Sequence, residues 1–174
     1  NSDNPGGVSA TVRIRVVEGR YYVRPSNLNA ISPYTNWYTA ATNIQTAVDV
    51  ACAGGTVMVT NGVYSRGSRA WPVGGTSNRV VITKMIAVYS VNGPTNTFIV
   101  GDSDIRCVYM DAGTYLSGFT LTNSFCDNGG GVFADGSAII SNCVMTGNLA
   151  SDGGGAYGGT LNNCTLTGNE AFSD

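Results

Sequence analysis

The chain contains no histidine. That excludes serine–histidine and cysteine–histidine catalysis, histidine-ligated metals and histidine-based pH switching. Charge is scarce: Asp, Glu, Lys and Arg make up 11% of the 174 residues, against about 25% in an ordinary soluble domain. Nine basic residues, of which only Lys84 is a lysine, are too few to point to a nucleic-acid partner. No apolar run approaches the ~20 residues of a membrane helix, so no membrane span is expected. Five cysteines without a CxxC pair give little support to a zinc or thioredoxin-like site. An odd count also does not read as a small disulfide framework.

What is present is glycine, at 24 residues, about twice ordinary usage. The length suits one domain. The few charges are unevenly placed. Residues 1–106 carry all nine bases against five acids, and residues 107–174 carry six acids and no base.

The C-terminal third repeats. Leu116-Ser-Gly-Phe-Thr-Leu-Thr-Asn-Ser124 aligns with Ile140-Ser-Asn-Cys-Val-Met-Thr-Gly-Asn148 and with Leu161-Asn-Asn-Cys-Thr-Leu-Thr-Gly-Asn169, at spacings of 24 and 21 residues. Gly129-Gly-Gly-Val-Phe133 recurs as Gly153-Gly-Gly-Ala-Tyr157. Helical repeats need about 33 residues or more, and Gly, Asn, Thr and β-branched residues disfavour helices. The period predicts a β-solenoid with one repeat per coil and coils about 4.8 Å apart. Leu161, Cys164 and Leu166 are expected to point inward. Asn142 and Asn163 fall where alternation breaks, so they are expected to form a stacked asparagine ladder at a bend. Cys143 and Cys164 occupy equivalent inward positions; free, buried thiols are expected over the alternative of a disulfide between stacked coils, because side chains on neighbouring strands point parallel rather than at each other. Cys52, Cys107 and Cys126 likewise read as structural. The Asn163-Cys164-Thr165 sequon reads as part of the repeat.

Upstream, Asn43–Ala51 is the one convincing helix, with Ile44, Ala47, Val48 and Ala51 on one face and Thr42 or Asn43 as its cap. Such a helix covers the exposed end of a solenoid. The expected organisation is an N-terminal extension over 1–35 with one or two strands, a capping loop and helix over 36–55, and coils over 56–174 with an open C-terminal end. Thr56–Thr60, Val80–Thr83, Ile86–Ser90, Thr97–Val100, Arg106–Met110 and Tyr115–Leu121 are the expected strands. Arg66–Asn78 is expected to be a loop leaving the stack.

Asn43-Ile44-Gln45-Thr46-Ala47-Val48-Asp49, Gly55-Thr56-Val57-Met58-Val59 and Asn61-Gly62-Val63-Tyr64, together with the Asn-Cys-Thr-Leu-Thr-Gly-Asn repeat, resemble secreted right-handed parallel β-helix repeat proteins of pectate-lyase-like architecture. The resemblance covers about residues 20–174. It implies an all-β, right-handed parallel β-helix with an N-terminal capping α-helix, located outside the cell or on its surface. It does not select a function, because this fold hosts lyases, hydrolases, adhesins and inert scaffolds.

Family enzymes resemble one another in clustered acids, either holding calcium or acting as a carboxylate pair. Here the candidates are Asp102, Asp104 and Asp111. Asp102 and Asp104, at i and i+2 of a strand, would share a face and bind calcium weakly. A solvated loop is the simpler expectation, and no metal site or cofactor is expected. The leading expectation is a non-enzymatic extracellular structural or surface protein. Its charge split favours head-to-tail association with other copies of itself into a filament. Val12, Ile14 and Val16, alternating with Arg13 and Arg15, would add a strand to a neighbour. The alternatives are a polysaccharide lyase or glycoside hydrolase, and a carbohydrate-binding adhesin.

Overall fold

The structure, a computed structural model, describes residues 19–72 and 74–172. The alternating segment with Val12, Arg13, Ile14, Arg15 and Val16 lies outside the described residues. The chain winds as a parallel β-solenoid. The first described rung is β1 (Arg20–Val23), followed by a loop and α1 (Ile44–Val50). The next coil contains β2 (Thr56–Val59), β3 (Gly62–Tyr64), β4 (Arg69–Ala70) and β5 (Ser77–Ile82). Then come β6 (Ala87–Ser90), β7 (Thr97–Val100) and β8 (Ile105–Met110). The repeat region supplies β9 (Tyr115–Ser117), β10 (Thr120–Thr122), β11 (Phe125–Asn128) and β12 (Val132–Ala134). A further coil holds β13 (Ile139–Ser141), β14 (Val144–Thr146), β15 (Leu149–Asp152) and β16 (Ala156–Tyr157). The last described strands are β17 (Thr160–Asn162), β18 (Thr165–Thr167) and β19 (Glu170–Ala171).

Equivalent strands stack into four sheets, the largest ordered β1-β2-β6-β9-β13-β17. Arg20–Val23 pairs in register with Thr56–Val59, so the strand expected within an N-terminal extension is itself a rung of the solenoid. The expected single strand Tyr115–Leu121 is two strands, broken where Gly118 turns the chain at φ +84°. The expected loop 66–78 contains an antiparallel pairing, β4 with β5.

In-register stacking turns the sequence repeat into columns of like side chains. Tyr64, Ile99, Leu121, Met145 and Leu166 form one column. Tyr21, Val57, Val88, Leu116, Ile140 and Leu161 form another. Each fully buried Val, Leu or Ile in such a column is worth roughly 1.5–3 kcal/mol. Burial fails at the last described coil, where Leu166 is 50% exposed.

α1 closes the other end by an explicit device. Ile44, Ala47 and Val48 are buried, and Asn43 caps the helix by accepting from the Gln45 backbone N–H at 2.7 Å. The Gln45 side chain then imitates a missing strand. Its Oε1 accepts from Val81 N–H at 2.6 Å and its Nε2 donates to Val81 C=O at 3.2 Å. Lys84 donates to the C=O groups of Asp49 and Ala51 at the helix's last turn, where a cation also opposes the helix dipole.

A second polar ladder runs inside the coils. Ser124, Asn148 and Asn169 occupy equivalent repeat positions. Asn148 is fully buried and donates to Leu121 C=O at 2.9 Å and to Asn169 Oδ1 at 3.0 Å, while its Oδ1 accepts from Ser124 Oγ at 3.2 Å. Replacing Asn148 by alanine strands these partners and leaves a void. We expect a loss of about 2–4 kcal/mol, read as a lower urea midpoint. An unchanged midpoint would show that the ladder contributes nothing.

Candidate functional site

The three candidate carboxylates do not form a cluster. Asp102 and Asp104 sit on a tight turn rather than a strand. The turn is closed by Asp102 N–H to Ile105 C=O and Ile105 N–H to Asp102 C=O, each 3.1 Å. Asp104 adopts a left-handed backbone (φ +60°), so the period-2 argument for a shared face does not apply. Asp102 Oδ1 accepts from Ser103 N–H, its side chain is 69% exposed, and its Oδ2 lies 3.7 Å from an Arg79 guanidinium nitrogen. Asp111 follows β8 and accepts from Tyr109 O–H at 3.0 Å. Among the described residues, no group of three His, Cys, Asp or Glu is placed to hold a metal ion.

Asp104 instead shares a depression with Asp127. Together with Cys126 and residues 74–77 they line an open depression of about 400 Å³. Beside it lies Arg106, almost fully buried. Its guanidinium donates to Asn128 C=O (2.7 and 2.9 Å), Gly129 C=O (3.0 Å) and Asn78 Oδ1 (2.8 Å), and stands 5.1 Å from the centre of the Phe133 ring. Burial pulls its pKa below the usual guanidinium value. Burial also raises the Cys126 thiol, against the opposing pull of Arg106, so this thiol is protonated at neutral pH and is not an activated nucleophile.

A wider depression, about 520 Å³, lies between the cap and β3 and is lined by Pro25, Asn43, Val63, Tyr64 and Arg66 among others. Burial pushes the Tyr64 hydroxyl up to about 12, which leaves it no role as a base near neutrality.

One feature escaped the sequence reading. Trp71, Tyr109, Phe133 and Tyr157 form an aromatic row along the axis. Tyr109 and Phe133 stack at 5.6 Å and 4°, Phe133 and Tyr157 at 5.2 Å and 13°, and Trp71 leans on Tyr109 at 6.5 Å and 60°. The signal was available, since Tyr109, Phe133 and Tyr157 recur every 24 residues.

The repeat positions lie as follows. Asn142 and Asn163 turn the chain at φ +49° and +52°, and Asn163 Nδ2 donates to Asn142 Oδ1 at 2.6 Å. Cys143 is buried and Cys164 partly exposed, both as free thiols.

These features define a class: a parallel β-solenoid repeat protein whose described interior is held by side-chain ladders. The chain matches no protein-family model, no curated protein and no solved structure.

Proposed function

We propose that the chain is an extracellular or cell-surface β-solenoid of the pectate-lyase-like architecture it resembles, acting as a structural or display element that associates head to tail. The observation that carries this reading is the use of the polar side chains. Arg79, Arg106, Asn78 and Asn148 are engaged in holding backbone and side-chain acceptors inside and between coils, while Asp102, Asp104 and Asp111 stand apart. The association follows from charge and exposed apolar surface. All described bases lie at or before Arg106, and every described charge from Asp111 onward is acidic. Leu28 and Ile31 are exposed near the first described rung, and Leu166 and Phe172 near the last described one.

Sedimentation of the full chain tests this. Concentration-dependent association at low salt is expected, weakened in about 0.5 M salt, where charges are screened within a few ångströms. Replacing Arg13 and Arg15 by glutamate is expected to weaken it further. Monomers alone, at high concentration and low salt, would overturn the assembly reading.

A second reading, a carbohydrate-binding adhesin, is favoured by the aromatic row and by the polar depression lined by Thr76, Ser77, Asp104 and Asp127. Its weakness is geometric. Rings stacked on one another turn their faces inward, whereas sugars pack on open ring faces. A glycan array separates the two readings.

A further inference from the structure

The two cysteines of the repeat are successive members of one column. Val144 and Thr165 pair in register, so Cys143 and Cys164, each one residue earlier, stack on each other, with Thr165 N–H donating to Cys143 C=O at 2.9 Å. Neighbouring rungs about 4.8 Å apart fall within the Cα separation that a disulfide spans, roughly 4.4–6.8 Å. The Cys164 thiol donates to the C=O groups of Ile140 and Asn162, each at 3.5 Å, so its sulfur lies back against the preceding coil. Their surroundings differ. Cys143 is enclosed and accepts from Phe119 N–H at 3.4 Å. Cys164 is partly exposed, at the bend made by Asn163.

We propose that Cys143 and Cys164 form a redox clip, a dithiol that closes into a disulfide and pins the last two described coils together. The accessible Cys164 reacts first. The neighbouring Cys143 side chain favours the Cys164 thiolate and holds it down to about 6, while the Cys164 side chain, together with burial, keeps Cys143 protonated. The Cys164 thiolate attacks one sulfur of a low-molecular-weight disulfide RSSR. A Cys164–S–S–R bond forms and RS⁻ leaves. RS⁻ takes the Cys143 proton, and the Cys143 sulfur then attacks the Cys164 sulfur and expels the second RS⁻, which is protonated by solvent. The dithiol loses two electrons and RSSR becomes two RSH. The clip acts where packing is weakest, since Leu166 of the same coil is half exposed. The inference is independent of the assembly reading.

The test uses the full chain carrying Cys52→Ser, which removes the exposed thiol. The protein is incubated with glutathione disulfide, denatured in N-ethylmaleimide and weighed. Closure is expected to remove two maleimide adducts and about 2 Da of hydrogen relative to the reduced protein. Adding Cys143→Ser is expected to leave a stable glutathione adduct on Cys164. Adding Cys164→Ser is expected to abolish both the adduct and the closure. An unchanged adduct count in the parent protein, or glutathione persisting on Cys164 while Cys143 is present, would overturn the clip. The parent measurement needs no change at either site, so a variant that fails to fold leaves the test standing.

Discussion

Replacing Gly131 by alanine should destabilise the solenoid by about 3 kcal/mol or more, although the change adds one methyl group. Gly131 does not have a left-handed backbone, so conformational freedom is not the reason. A Cβ built on it falls against the Gly155 carbonyl oxygen of the next coil and lies 3.1 Å from Asn148 Nδ2. Gly131 also donates its N–H to Gly154 C=O at 3.0 Å. Relief would separate two coils at the place where they hydrogen-bond, and neither neighbouring backbone can turn aside as a side chain would. Gly136→Ala is the control, because nothing lies within 4 Å of its Cβ position. Urea unfolding of the two variants decides the matter. Equal midpoints would show that the coils slide apart at little expense.

That glycine also marks where sequence reading stopped. A period of 24 residues reveals the solenoid because like residues stack on like. The same logic located the bend asparagines Asn142 and Asn163, and local cap chemistry located the helix at Asn43. The triple glycine is visible as a repeat, but the repeat does not say what the glycines are for. Only Gly129, at φ +60°, uses glycine for its backbone angle; Gly130 and Gly131 are there because the next coil comes too close. Nothing in one coil's sequence reports that distance. The shared face expected of Asp102 and Asp104 is absent for a related reason. Spacing i, i+2 implies a shared face only within a strand, and the chain turns at Asp104. The partners of Arg106 are equally invisible to local spacing: the C=O groups of Asn128 and Gly129 at the end of β11 and the side chain of Asn78, 22, 23 and 28 residues away.

Arg106→Met is expected to lower stability by about 3 kcal/mol, and two opposing effects set that figure. Burying a guanidinium is costly, and replacing whole buried ion pairs by apolar residues is often neutral or even stabilising. That precedent requires both partners to be removed together. Here the partners are the C=O groups of Asn128 and Gly129 and the side chain of Asn78, and two of the three are backbone. Methionine keeps contact with Phe133 but leaves Gly129 C=O and Asn78 Oδ1 without their guanidinium donor and Asn128 C=O with only the Cys126 thiol at 3.5 Å, at about 1–3 kcal/mol for each buried polar group stranded. Relief of the desolvation penalty offsets part of the sum and brings the net loss to the stated size. Arg106→Lys should recover less than half. A single ammonium cannot reproduce the planar fork that reaches Asn78 on one side and Asn128 on the other. Urea titration of the three proteins provides the measurement. If methionine equals or exceeds arginine, the buried cation is a burden on the fold, and its retention beside the Asp104–Asp127 depression would have to be explained by something that binds there. If lysine equals arginine, charge alone matters and the fork geometry does not.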